Sequence, residues 1–310
     1  MKTTDLISII TPCYNEEANI RPFYDAVKSV FDLMGGGTQF EILFINDGSK
    51  DGTLEKIKEL HKEDCRVKGL SFARNFGKEA ALFAGIHAAQ GDCAAFLDAD
   101  LQHPPALLAE MYKKWKEGFD VVEGVKTDRG NEGLFHRLFT KVFYSLISKA
   151  VGMDMRNSSD YKLLDRKVID ELKKLRERNT FFRALSFWVG FKKTTVFYDV
   201  QERSNGISKW STRSLFKYAI NNVICFSYAP LNIVTGVGIV FLLVGVGFAI
   251  DALISYLRGT ANSGFPTLIF VLLIGFGGTM LSLGIIGAYI AQIYDEVKGR
   301  PQYIIEEKIE

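Results

Sequence analysis

Residues 93–105 read Cys-Ala-Ala-Phe-Leu-Asp-Ala-Asp-Leu-Gln-His-Pro-Pro. The apolar run Ala94, Ala95, Phe96, Leu97 ends in Asp98, Ala99, Asp100, with Gln102 two residues on. A short apolar run with a polar end predicts a buried strand that delivers its tip to a cleft. Two carboxylates at i and i+2 on such a tip can converge on one hard cation. Mg²⁺ or Mn²⁺ held in this way keeps positions open for water and phosphate oxygens. Pro104–Pro105 stop the strand and admit a helix start. An isolated Asp-x-Asp is equally a solvated turn with two acids, so the weight falls on the segments around it.

Outward from this stretch, residues 6–125 alternate short apolar runs with amphipathic ones. Leu6–Ile10, Phe40–Ile45, Val67–Phe72, Ala94–Leu97 and Val121–Val125 have strand character. Glu17–Leu33, Thr53–Lys62, Lys78–Gln90 and Pro105–Glu117 have helical spacing. That rhythm predicts an α/β domain with a mostly parallel sheet covered by helices, and ligands at the carboxyl ends of its strands.

The polar candidates fall at those ends. After the first strand comes TPCYNEE (residues 11–17), where Pro12 is expected to fix a turn and Tyr14 offers a ring that can stack on a base. Glu16 and Glu17 stand at a helix start, where acids also suit the helix dipole. After the second comes NDGSKDGT (46–53), in which Asp47 can accept from a nucleobase or ribose while Asp51 and Thr53 suit turn and cap. After the third comes ARNFGK (73–78), which brings Arg74 and Lys78 near a helix start where a phosphate binds.

Together TPCYNEE, INDGSKDGT, ARNFGKEAALFAG and DADLQ resemble the family 2 glycosyltransferases with the GT-A fold, over the first two hundred residues or so. With two C-terminal apolar spans, the chain is similar within that family to bactoprenol (polyprenyl-phosphate) glucosyltransferases and, more distantly, to dolichyl-phosphate mannose synthases. The resemblance implies a nucleotide-sugar donor, a divalent metal (Mg²⁺ or Mn²⁺) at Asp98, Asp100 and Gln102, and nucleotide contacts from Pro12, Tyr14, Glu16, Asp47 and Arg74. It also implies inversion at the anomeric carbon. NSSDYKLLDR (157–166) is similar to the family's active-site segment, which carries a catalytic role onto Asp160 and leaves Asp165 and Arg166 to begin a helix.

On the acceptor side, Lys126, Arg129, Arg137 and Lys141 border Leu134–Val151, rich in Phe, Leu, Ile and Tyr. Such a segment lies in a membrane interface or packs as a core-facing helix with a basic edge. Arg203 and Lys209 flank a glycine-containing loop just before the membrane; they are candidates for diphosphate and acceptor phosphate, and Lys209 equally for anionic lipid.

The chain has 310 residues, enough for two structural units, and a net charge of +2 that gives no bulk case for nucleic acid. Four scattered cysteines suit a reducing compartment, and Met1–Ile10 lacks the length of a cleavable signal. Leu231–Ile250 holds twenty residues without a charge and Phe265–Tyr294 thirty. At about 1.5 Å per residue, each crosses a hydrocarbon core of about 30 Å. Their glycines are expected to allow close helix approach, and with it a homo-oligomer. Cations flank the pair (Lys209, Arg213 and Lys217 before; Lys298, Arg300 and Lys308 after), while the connecting loop carries only Arg258, which places both termini in the cytoplasm of a multi-pass inner-membrane protein.

The expected organisation is therefore a GT-A domain over 1–205, a loop and amphipathic interface helix over 206–229, spans over 230–257 and 265–294, and a cytoplasmic tail over 295–310. The expected reaction moves a hexose, most simply glucose, from a UDP-sugar to undecaprenyl or another polyprenyl phosphate, with a flippase to carry the product across. Another sugar, such as GlcNAc, mannose or a modified pentose, fits the same motifs. A non-catalytic nucleotide-sugar scaffold is the rival of a different class. A processive synthase would carry Gln-x-x-Arg-Trp after the catalytic aspartate, and no such string occurs.

Overall fold

The structure, a computed structural model, describes residues 4–35, 38–127, 148, 159–175, 177, 180–198, 228–259 and 264–310. The chain divides into two units, Met1–Ser211 with Arg300–Glu310, and Thr212–Gly299.

In the first unit, strands β1 (Asp5–Cys13), β2 (Thr38–Asn46), β3 (Val67–Phe72), β4 (Cys93–Phe96) and β5 (Val121–Lys126) alternate with helices α1 (Glu17–Met34), α2 (Thr53–Glu63), α3 (Lys78–Ala88) and α4 (Leu107–Lys116). Then come β6 (Lys162–Asp165), α5 (Arg166–Lys174), α6 (Phe182–Trp188) and β7 (Lys193–Tyr198), and at the end of the chain β8 (Ile305–Ile309). The sheet has eight strands in the order β7-β5-β6-β4-β1-β2-β3-β8. The pairs β1/β2, β1/β4, β2/β3 and β5/β7 are parallel, while β6 runs against β4 and β5, and β8 against β3. The α/β, mostly parallel architecture read from the sequence is the one observed.

Strands covered on both faces need apolar side chains on both, which is why β4 reads Cys-Ala-Ala-Phe with all four buried. α3 lies close on the sheet because it presents Ala80, Ala81, Ala84 and Gly85. A methyl added at Gly85 would overlap the Ile10 side chain of β1.

Three expectations need correction. Pro12 does not form a turn but lies in β1, opposite Ile45 of β2. β1 pairs with β4 only through Ile7–Ile10, so Pro12 faces one strand, and its missing N–H interrupts no second ladder. The stretch after the second span is not a free tail: Ile305–Ile309 forms β8 and covers the edge of β3. The Ile-Glu-Glu-Lys-Ile pattern suits an edge strand whose outer rim is charged. Lastly, the span glycines make no close approach within the chain; of those described, only Gly278 has a neighbour, Phe241, within 4 Å of an added methyl.

The second unit holds α7 (Ala229–Leu257) and α8 (Phe265–Val297), each long and apolar enough to cross a membrane. Large apolar side chains such as Leu242, Leu243, Leu273 and Leu281 are exposed along both. Such continuous apolar surface belongs with lipid or protein rather than water, and is consistent with membrane association.

Gly85→Ala should cost about 1–3 kcal/mol through overpacking against Ile10, read as a lowered denaturant midpoint of the purified protein. An unchanged midpoint would show that α3 can move away from the sheet freely.

Candidate active site

The sheet direction assembles the site. Phe96 at the end of β4 pairs with Lys162 at the start of antiparallel β6. Two residues beyond one and two before the other, Asp98 and Asp160 therefore emerge at the same edge. Lys78, the first residue of α3, stands between them, its Nζ 2.7 Å from Asp98 Oδ1 and 3.0 Å from Asp160 Oδ2. Arg183 of α6 closes on Asp160 from the other side, with Nε 2.6 Å from Oδ1 and Nη2 2.9 Å from Oδ2. This fork is the strong geometry for a guanidinium on a carboxylate.

Burial opposes the charge on Asp160, but Arg183 and Lys78 outweigh it and hold the carboxyl well below the usual range. Burial likewise opposes the Lys78 charge, and Asp160 and Asp98 outweigh it, so the ammonium stays protonated. Asp160 is thus a fixed anion with little basicity. Its neighbour behaves oppositely: burial and the Asp160 charge push the Glu79 carboxyl up to about 7, although Glu79 accepts the Phe182 amide at 2.8 Å. His103 Nε2 lies 3.8 Å from Asp98 Oδ2, and its Nδ1 is 3.0 Å from the Tyr198 hydroxyl. Burial lowers the His103 pKa, so the ring is neutral at pH 7.

Asp100 is partly buried, and its Oδ1 accepts the Gln102 amide at 3.1 Å across a turn in which Leu101 has φ +58°. Among the described residues no three His, Cys, Asp or Glu side chains gather as a metal-holding group. Asp98, Asp100 and the Gln102 carbonyl are hard oxygen donors, and a Mg²⁺-like ion is commonly held by one or two carboxylates together with the phosphates of its substrate. The donor set fits an ion that arrives with a diphosphate better than a closed protein cage.

The neighbouring strand ends are built to hold loops. Tyr14 is exposed, followed by Asn15 at φ +53°, whose N–H donates to Ser49 Oγ and whose Oδ1 accepts from Lys50 N–H. Glu16 makes no helix-capping bond; its carboxylate takes the Asn19 amide at 2.6 Å. Asp47 is 4% exposed, and its two oxygens take the backbone amides of Phe76 and Gly77 at 2.6 and 2.9 Å. Its main partners are therefore backbone, and it braces the loop that carries Arg74, whose guanidinium lies 4.0 Å over the Phe76 ring. Lys126 ends β5 at the same edge of the sheet, paired with Tyr198 of β7. Arg129, Arg137, Arg203 and Lys209 lie outside the described residues, as do Leu134–Ile147, 149–158 and the expected interface helix over 206–227.

Arg183 is not among the candidates the sequence offers, and Lys78 is placed differently from its expected role. Arg183 stands alone as a charge in the apolar helix Phe-Arg-Ala-Leu-Ser-Phe-Trp, and a lone cation among core residues was the available signal. Lys78 was read as a phosphate ligand, whereas in the structure its partners are the two aspartates.

Residues 8–188 match the family described as Glycosyl transferase family 2. "Uncharacterized glycosyltransferase YkcC" of Bacillus subtilis (strain 168) is 42% identical over 303 residues, 96% of this chain and 93% of that protein. The SfII prophage-derived bactoprenol glucosyl transferase of Shigella flexneri is 38% identical over 305 residues, 97% of each. Among solved structures, glucosyl-3-phosphoglycerate synthase from Mycobacterium tuberculosis aligns at a TM-score of 0.48 and 20% identity, over 72% of this chain and 80% of that one.

The raised Glu79 pKa has a consequence for stability. A carboxyl that sits ordinarily near 4.5 and in the fold near 7 holds its proton more tightly in the native state. Its contribution is full below about 4.5 and is lost as pH rises through about 7. Glu79→Gln should therefore flatten the stability profile between these values and be more stable than wild type at pH 8, measured by thermal unfolding. A variant profile parallel to wild type across that window would contradict the assignment.

Proposed function

The chain belongs to the family 2 glycosyltransferases, and from that premise we propose that it transfers a hexose, glucose first among candidates, from a UDP-sugar to polyprenyl phosphate with inversion at the anomeric carbon. The observation that carries the acceptor class is the pairing of Asp160 with both Arg183 and Lys78. A sugar hydroxyl needs a base to become a nucleophile. A phosphate monoester has its second pKa near 6 and is mostly dianionic at pH 7, so it needs none. A carboxylate held by two cations suits the second case. The relatives named bactoprenol glucosyl transferases, similar over nearly the whole chain, support the same acceptor.

Glycosyl transfer passes through an oxocarbenium-like state and expels a nucleoside diphosphate. The fixed Asp160 charge suits the cationic sugar, and Lys78 keeps Asp160 and Asp98 in register. Asp98, Asp100 and Gln102 would hold a divalent ion, which would neutralise charge on the departing diphosphate. Tyr14 offers a stacking face for the base, Pro12 and Glu16 line the neighbouring strand end, and Arg74, on the loop braced by Asp47, meets phosphate. Lys126, at the end of β5, is a candidate for the acceptor phosphate, and by sequence Arg129, Arg137, Arg203 and Lys209 are candidates for the same role.

The polyprenyl chain stays in the bilayer, since exposing it costs about 0.8 kcal/mol per CH₂, and α7 and α8 bring the enzyme to it. The return of β8 to the sheet after two spans requires an even number of crossings. With the flanking cations, this supports a catalytic unit and both termini in the cytoplasm. Two spans offer no sugar channel, so a separate flippase carries the product, and the glycine faces of the spans remain for a second copy of the chain.

Glu79, with its pKa near 7, supports a second reading in which it serves as a base for a hydroxyl acceptor. Membranes containing the protein should convert labelled UDP-glucose and polyprenyl phosphate to organic-extractable label in a metal-dependent manner. Asp100→Ala should lower this by about 10²-fold or more with membrane insertion intact, and Glu79→Gln should retain it. Near-normal turnover by Asp100→Ala would overturn the phosphate-clamp reading, while transfer to a hydroxyl acceptor but not to polyprenyl phosphate, lost in Glu79→Gln, would favour the second reading.

A further inference from the structure

The last eleven residues do more than cover a sheet edge. β8 runs along β3 with Gly69 opposite Ile309 and Phe72 opposite Ile305, and its register shifts at Ser71/Phe72. Ile309 is buried in the groove that Gly69 leaves beside Ile57. Glu307 pairs with Lys58 of α2 at 2.7 Å, and Gln302 Nε2 donates to the Glu177 carbonyl. The strand is thus held at several points along its length.

Its leading end reaches the donor side of the site. The Ala73 N–H donates to the Ile304 carbonyl at 3.0 Å, extending the ladder past the end of β3. Tyr303 stacks on Phe72, with centroids 5.0 Å apart and planes 10° from parallel. Phe72 meets Phe76 edge to face at 5.8 Å and 87°, and Arg74 lies over the far ring at 4.0 Å. The Phe76 and Gly77 amides in turn hold Asp47. Tyr303, Phe72, Phe76 and Arg74 form a continuous stack from the segment following the second span to the loop carrying the donor-side cation.

We propose that Tyr303 is a positioning residue for the nucleotide diphosphate, acting through Phe72 and Phe76 to hold the Ala73–Gly77 loop and Arg74 in place. This rests on the reading of Arg74 as a donor contact. The physical reason is that a five-residue loop between a strand end and a helix start is fixed only by what it touches. Here those contacts include Asp47 and the close-packed Gly48 on one side, and Ile304 with the Tyr303 stack on the other. Aromatic pairs contribute enough that losing one should change a dependent affinity by roughly three- to tenfold.

The test uses the purified full-length protein, with UDP as probe, followed by calorimetry and amide hydrogen exchange. Tyr303→Ala should weaken UDP binding roughly three- to tenfold and speed exchange at Phe76 and Gly77, while Tyr303→Phe should match wild type in both. On an Arg74→Ala background, Tyr303→Ala should add no further loss of affinity. Tyr303→Leu, which keeps apolar volume without a stacking ring, should behave as Tyr303→Ala and guards against a variant that fails to fold. Unchanged exchange and unchanged affinity in Tyr303→Ala or Tyr303→Leu would overturn the proposal. Faster exchange with unchanged affinity would also overturn it, by showing a tethered loop that does not serve the donor. Unchanged affinity in Arg74→Ala would instead refute the donor reading on which it rests.

Discussion

The Lys78 ammonium, shared between Asp98 and Asp160, is the contact on which the site depends. It joins three elements that meet nowhere else in sequence: the tip after β4, the start of α3 and the residue before β6. Without it, two carboxylates at one sheet edge would face each other with like charge. With it, and with the Arg183 fork on the far side of Asp160, the Asp160 carboxyl is held well below the usual range. The group is half-buried rather than sealed, with the Lys78 side chain 38% exposed, so solvent screens part of the cost of removing one member. The arrangement therefore ties the fold near the site to the charges that the chemistry uses.

Reversal of a single strand makes this meeting possible. Were β6 parallel to β4, Asp160 would enter at the amino edge of the sheet, remote from Asp98. Because it is antiparallel, the chain passes the carboxyl edge on its way into β6, and the Asp160 segment becomes part of the same rim as the loops after β1, β2 and β3. β8 repeats the device at the other end of the sheet. Its antiparallel course brings Tyr303 and Ile304 to the loop after β3, so a segment far along the chain supports that loop.

Most of the central sheet was legible because its strands are buried on both faces and carry unbroken apolar runs, as in Ile7–Ile10 and Phe40–Ile45. Motif order and strand rhythm put the DAD tip, Asp47 and Asp160 beside strand ends, which is where they lie. What could not be read was pairing. Asp47 looked free to meet a ligand, and only the fold shows two backbone amides on its oxygens. Arg183 lies 23 residues from Asp160 in a helix that reads as core, and no periodicity connects them. Pro12 suggested a turn because proline seldom lies within a sheet, yet β1 has only one partner at that height. The terminal Ile-Glu-Glu-Lys-Ile is a short run whose charges suit an edge strand as well as a tail, so only pairing identifies it.

The central claim is that Asp160 works as a fixed charge and moves no proton, the acceptor arriving already ionised. The most direct measurement is the pH dependence of kcat with polyprenyl phosphate and with the corresponding phosphonate, whose second ionisation lies higher. The account predicts an acidic limb that moves up with the acceptor's own pKa and persists, at reduced rate, in Asp160→Asn. A limb that stays at one pH for both acceptors and disappears in Asp160→Asn would contradict it, because the titrating group would then belong to the protein.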